Sequence, residues 1–221
     1  MRRREFITVP AKGLGGLLLY RLAGEPIRLR AQDGSVRVPL RFFTEAEARA
    51  VMAACERIFP GDENGPGATD ANVVVYIDRQ LAGPYGHDKY RYTKGPWIES
   101  APEHGNQRKE SPRDIYRAGI PTLGSDFAEA SPEEQDARLE KIERTGFFNM
   151  LRAHTLEGMF TDPLHGGNQN MVGWRLVGYP GPVMSYRDEI EQYHGKPYRR
   201  EPRSLEQIIG HDVVGWEDEP V

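Results

Sequence analysis

Asp162 and His165 stand three residues apart and run directly into Gly166-Gly167. A carboxylate and an imidazole on a glycine-rich turn are residue types suited to general acid–base work, which would make the chain a stand-alone enzyme of hydrolase or lyase type. The same Asp162, placed directly before Pro163, also reads as a turn initiator whose carboxylate accepts nearby backbone N–H groups. The paired glycines suggest a phosphate loop, but no strand pattern precedes them, no Lys-Ser/Thr follows, and no G-x-G-x-x-G occurs anywhere. A flavin or nicotinamide enzyme needs a βαβ unit, for which this chain has neither room nor pattern, so no cofactor is expected in the chain itself. The remaining histidines, His87, His104, His154, His194 and His211, are scattered without an i,i+4 pair. Cys55 is the single cysteine, which excludes a multi-cysteine metal or iron–sulfur centre and an internal disulfide. No metal site and no catalytic residue are expected.

The elements that would position these residues are helical. Thr44 with Glu47 three residues on makes a capping box, and Val51, Ala54, Cys55 and Ile58 share one face before Pro60 stops the run. Thr69 or Asp70 caps a second helix with Val73, Val74, Ile77 and Leu81 at helical spacing and Gly83 just beyond. A long loop over 83–110 contains Gly95-Pro96-Trp97. Ser111-Pro112 opens a helix through about Ala118, and Ser131-Pro132-Glu133-Glu134 opens another through Ile142. Phe147, Phe148, Leu151, Thr155 and Met159 mark the last major helix. Val36–Phe42 reads as an extended lead-in, and everything after Thr161 as Gly/Pro/Tyr loop apart from a short helical candidate at Ser204–Ile209. The expected fold is all-α: an irregular helical domain of about five helices with long loops.

Charge separates the N-terminus from the rest. Residues 1–31 hold seven basic and two acidic side chains, net +5, within a chain of net −4, so residues 32–221 carry −9. An acidic body does not favour nucleic acid, and no apolar run approaches the roughly 20 residues of a membrane span. Within the basic segment, Arg3-Arg4-Glu5-Phe6-Ile7 is followed by the weakly apolar Gly13–Tyr20. This resembles a twin-arginine export signal, with Arg3, Arg4, Phe6 and Ile7 as its core. The expected organisation is a signal or N-terminal arm over 1–31 and one helical domain over 32–221, exported to the periplasm and membrane-associated only through a complex.

The stretch 156–181 carries a family resemblance. Glu157-Gly158-Met159-Phe160, then Asp162-Pro163-Leu164-His165-Gly166-Gly167-Asn168, then Gly173-Trp174-Arg175-Leu176-Val177-Gly178-Tyr179-Pro180-Gly181, resemble the signature of the gluconate 2-dehydrogenase subunit 3 family. His165 departs from it, standing where the family commonly has tyrosine. Upstream, Phe43-Thr44, Ile58-Phe59-Pro60, the Ala71–Leu81 helix, Gly95-Pro96-Trp97 and Tyr116-Arg117 agree in order, so the resemblance spans roughly 42–186.

That resemblance implies a helical, non-catalytic small subunit. Its partner would be a large FAD-containing subunit of the glucose–methanol–choline type, a sugar or polyol dehydrogenase, with a cytochrome c subunit as a further partner in some complexes. It also implies that the small subunit carries the export signal for its folded, FAD-loaded partner; a transient export chaperone is the alternative. Under this reading the expected interface comprises Trp97, Asp162, Pro163, His165, Gly166, Gly167, Asn168, Trp174, Tyr179, Pro180 and Tyr186, since rigid aromatics beside glycines suit close protein contact. The other reading is that Trp97 and Trp174 pin loops onto the helices, and for Trp174 the core is favoured.

Overall fold

Three of the helices begin where a hydroxyl and a carboxylate satisfy each other's turn. Thr44/Glu47, Ser111/Asp114 and Ser131/Glu134 each form a reciprocal capping box, and proline follows the cap in the latter two. Each cap contributes about 1 kcal/mol by satisfying amides that no helix carbonyl can reach. The computed structural model describes residues 39–97, 101, 103, 108–183, 185–198 and 200–213, of which Asp188 and residues 210–213 contribute backbone only. Arg3, Arg4, Phe6 and Ile7 lie outside the described residues.

The α-helices among the described residues are α1 (Glu45–Ile58), α2 (Val73–Ala82), α3 (Pro112–Gly119), α4 (Pro132–Ile142), α5 (Gly146–Phe160), α6 (Val172–Val177), α7 (Arg187–Gln192) and α8 (Leu205–Val213). The fold is all-α, and the only extended pairing in this set is an isolated bridge between Asp62 and Gly65. No described helix is long and apolar enough to cross a membrane. α5 is the central helix and packs against α1, α2, α3, α4 and α6. Ile77 and Leu81 of α2, Val51 and Ala54 of α1, and Leu151 and Met159 of α5 are all fully buried. Each of the larger side chains contributes roughly 2 kcal/mol by leaving water. Arg57 and Asp136 close α1 against α4 with a two-pronged ion pair at 2.7 and 2.6 Å.

Several elements differ from the sequence expectation. Thr69 and Asp70 do not cap α2, because the Asp70 carboxylate turns back to the Gly67 amide at 3.1 Å and the Thr69 amide donates to Glu56 at 2.8 Å. The helix starts three residues later, behind a left-handed Asn72 that makes no side-chain cap. Of the expected extended lead-in, residues 36–38 lie outside the described residues, and the chain bends at 41–43 before α1. The buried Asp78 carboxylate of α2 gathers three consecutive amides, those of Arg41, Phe42 and Phe43, at 2.8, 2.9 and 2.9 Å. The region after Thr161 is not simply loop, since it holds α6 and α7, and α8 continues the Ser204–Ile209 candidate to Val213.

Candidate functional site

The signature residues after α5 fold into a closed clasp in which three side chains, Asp162, Asn168 and Trp174, bond to main-chain groups. Asp162 leaves the helix in extended conformation and accepts the Leu164 amide at 3.0 Å, which winds Pro163–His165 into one 3-10 turn. Gly166 ends that turn at φ +100, a conformation that favours glycine. Gly167 then passes so close to α5 that a Cβ would stand 2.3 Å from the Gly158 carbonyl oxygen. The next amide, of Asn168, donates to that same oxygen at 2.8 Å. Asn168 is fully buried; its side chain donates to the Thr161 carbonyl and accepts the Gly173 amide, both at 2.8 Å. Two left-handed residues, Asn170 and Met171, then turn the chain into α6.

On α6, Trp174 faces inward. Its indole N–H donates to the Phe160 carbonyl at 2.7 Å, and Tyr179 packs edge-on against it with ring centroids 5.1 Å apart. Asp162 uses its second oxygen to accept the Leu205 amide at 2.7 Å, tying the start of α8 to the turn. The Pro180 carbonyl accepts the Arg203 amide at 3.2 Å.

The clasp frames an open groove of about 640 Å³ walled by Phe160, Asp162, Trp174, Val177, Tyr179, Pro182 and Leu205. A smaller cleft of about 240 Å³ lies across α6, between Leu176 and residues 58–66. Leu176 faces one depression and Val177 the other, so α6 is an apolar ridge between them. Val177, Tyr179 and Leu205 on the groove and Leu176 on the cleft are all exposed. Apolar side chains gathered along one groove suit contact with another molecule, whereas single exposed apolar side chains are ordinary.

The structure divides the sequence-nominated residues. Asp162, Trp174 and Tyr179 line the groove. Pro163, His165 and Gly166 form the adjoining turn, with His165 exposed. Gly167 and Asn168 are buried and brace the clasp from within, and Trp174 sits on a short helix instead of a loop. Tyr186 is exposed and packs edge-on against Tyr198 with ring centroids 6.3 Å apart, and Trp97 stands in the loop after α2, beside Gly95; neither lines the groove. Sequence reasoning passed over Phe160, Val177, Pro182 and Leu205. The signal for Phe160 was available, as an apolar residue at the last position of a helix whose inward face was already filled; Val177 ends a helix that the sequence did not announce, so nothing there pointed to it.

The acid–base reading of Asp162 and His165 finds no geometry to support it. Both carboxylate oxygens are occupied by backbone amides, and among the described residues no hydrogen bond joins the two side chains. No group of three His, Cys, Asp or Glu side chains gathers among those residues as a metal would require.

Among the described residues the most perturbed histidine lies elsewhere. His154 of α5 is buried, with Nε2 2.8 Å from the Tyr85 hydroxyl and Nδ1 2.9 Å from the Tyr116 hydroxyl. Burial, reinforced by the Arg108 cation, holds its pKa down at about 4. Both tyrosines are pushed up by burial. His154 lies between Leu151 and Thr155 on the inward face of its helix, which was the sequence signal for it. With both nitrogens engaged it joins α5 to α3 and to the loop after α2.

No curated protein and no solved structure matches the chain. One protein family, described as Gluconate 2-dehydrogenase subunit 3, matches residues 45–181. That match runs from the first residue of α1 through the whole clasp to Gly181, more than half of the chain. The match covers the helical bundle and the clasp, and this chain belongs to the gluconate 2-dehydrogenase subunit 3 family.

Proposed function

We propose that this chain is the non-catalytic small subunit of a FAD-dependent sugar or polyol dehydrogenase, which it binds, stabilises and accompanies to the periplasm. The observation that carries the reading is the groove. Its one charged wall residue, Asp162, and the Trp174 N–H are both spent on backbone groups. What remains is mostly apolar surface, open along its length, without the convergent polar groups that orient a small substrate. A surface of that composition is suited to burial against another polypeptide. In this reading FAD and the substrate belong to the partner, a glucose–methanol–choline type subunit, and electrons leave through that FAD, to a cytochrome c where one is present. Arg3, Arg4, Phe6 and Ile7 supply the twin-arginine signal for both proteins. Such a route suits a flavoprotein that must bind its cofactor and fold before export, because ligand binding stabilises only the folded state.

The test is co-production of the tagged chain with its cognate FAD-containing subunit, measuring flavin recovered per mole of chain. Wild type should retain the flavoprotein, and Val177→Asp, on a side chain 60% exposed in the free chain, should weaken the complex about tenfold or more. Replacing Arg3 and Arg4 with lysine should leave both proteins in the cytoplasm. A chain that never retains the flavoprotein, or Val177→Asp binding it as tightly as wild type, would remove the groove from this role.

A further inference from the structure

The loop that leaves α2 carries a second surface of different chemistry. Its base is built like core. The Gly86 amide donates to the Gln80 carbonyl at 3.1 Å, Asp88 to Tyr85 at 2.9 Å and Lys89 to Pro84 at 3.0 Å. The Asp88 side chain is 8% exposed and pairs with Arg91 at 2.5 Å and with Arg108 at 3.9 Å. Arg91 also donates to the Arg108 carbonyl at 2.7 Å, and the Tyr85 hydroxyl meets His154. Above this base the side chains turn outward. Tyr90 is 83% and Tyr92 76% exposed, more than any other large apolar or aromatic side chain among the described residues. Lys89 and Lys94 flank them, exposed, and within that set no carboxylate pairs with either.

We infer that residues 84–97 form a second docking element, a positively charged tyrosine finger that seats in an acidic cleft of the same flavoprotein partner. The inference rests on the function proposed above and adds to it a location and a charge sign. Tyrosine buries a large, stiff, amphipathic side chain at small entropic cost, and that cost falls further when the loop is already fixed at its base. Residues 84–97 hold three basic and one acidic side chain, whereas residues 32–221 together carry −9. An acidic cleft is therefore repelled by most of this molecule and drawn to this loop, which selects orientation during encounter. An anionic membrane is the weaker fit. Two exposed lysines fall short of the clusters of about four to eight that hold a protein at an acidic leaflet, and the chain's net charge of −4 opposes the approach.

The experiment uses the full chain with its cognate FAD-containing subunit and two variants, Lys89→Glu/Lys94→Glu and Tyr90→Ala/Tyr92→Ala. The substituted side chains are solvent-exposed, so helical circular dichroism should stay at wild type. The charge reversal should slow association about tenfold and flatten its dependence on sodium chloride. The tyrosine variant should raise the dissociation rate about tenfold. If wild type captures the flavoprotein and both variants do so at wild-type rates, the finger is refuted while the groove stands. Should wild type itself capture no flavoprotein, the functional reading fails and takes the finger with it. Loss of binding to phosphatidylserine-containing vesicles, with flavoprotein binding unchanged, would refute the finger in favour of a lipid contact.

Discussion

Acid should destabilise this protein through one buried imidazole, over a pH window set by His154. At neutral pH the ring is uncharged; one nitrogen accepts a tyrosine O–H and the other donates to the second tyrosine oxygen. Protonation would place a cation in a site 2% exposed, facing the Arg108 charge and two phenols that burial keeps neutral. The folded-state pKa of about 4 lies below the ordinary 6.5. Between those values the unfolded chain binds a proton that the folded chain refuses, so stability rises with pH across the window. The contribution is fully present above about pH 6.5, declines as pH falls, and is gone below about pH 4. The span corresponds to about 3 kcal/mol, with a slope near 1 kcal/mol per pH unit between pH 6 and 5. His154→Gln removes the titration while keeping a polar side chain. Urea unfolding followed by helical circular dichroism, at pH 7, 6, 5 and 4.5 in both proteins, separates this contribution from the carboxylates they share. The variant should be less stable at pH 7 by about 1–3 kcal/mol for the lost hydrogen bonds, and its stability should fall less steeply with acid. Parallel curves for the two proteins would show that His154 does not govern the acid response.

Three further outcomes follow from buried groups. Asp78→Ala should cost at least about 3 kcal/mol in urea unfolding, because it strips the acceptor from the Arg41, Phe42 and Phe43 amides at once; a loss under 1 kcal/mol would mean that water replaces the carboxylate. Gly167→Ala should cost about 2 kcal/mol, since its Cβ would stand 2.3 Å from a main-chain oxygen on α5 that no rotamer change can move. An unchanged melting temperature would contradict that packing. Burial pushes the Cys55 thiol up to about 12, so a disulfide reagent should leave the native protein unlabelled at pH 8 and react once urea is added; rapid native labelling would contradict its burial.

The helical bundle was legible because its signals are local. Thr44, Ser111 and Ser131 each announce a helix within four residues, and the Val51–Ala54–Cys55 face is a periodicity that tertiary packing had no reason to override. α6 was not legible for the opposite reason. Its six residues follow Asn170 and Met171 in left-handed conformations, which propensity disfavours and which only the surrounding clasp enforces. Asp78 shows the same limit. Nothing at position 78 indicates that it will bend a segment 35–37 residues earlier, because its three partners are amides without side-chain identity. Within the nominated site, the sequence located the right segment but could not separate residues that face out from those that brace it. Gly167, Asn168 and Trp174 share a motif with Tyr179, yet only the close approach to the Gly158 and Phe160 carbonyls decides which way each one turns.

That division of labour explains why so polar a segment presents so apolar a surface. In residues 158–182 the polar groups that can reach one another do so: Asn168 satisfies Thr161 and Gly173, Trp174 satisfies Phe160, and Asp162 satisfies Leu164 and Leu205. A buried network is stabilising only when its members are satisfied, and satisfying this one consumes the groups that a substrate would otherwise contact. Val177, Tyr179, Leu205 and their neighbours remain outside, held on a rigid frame. Binding to a pre-ordered apolar surface costs little entropy in the receptor, and its specificity must then come from shape and from charge placed at a distance. The loop carrying Lys89 and Lys94 supplies charge of that kind, on the element that also anchors His154 through Tyr85. Loosening His154 by acid should therefore weaken the loop's contribution to binding before it unfolds the helices, so partner affinity should decline at a higher pH than helical signal does.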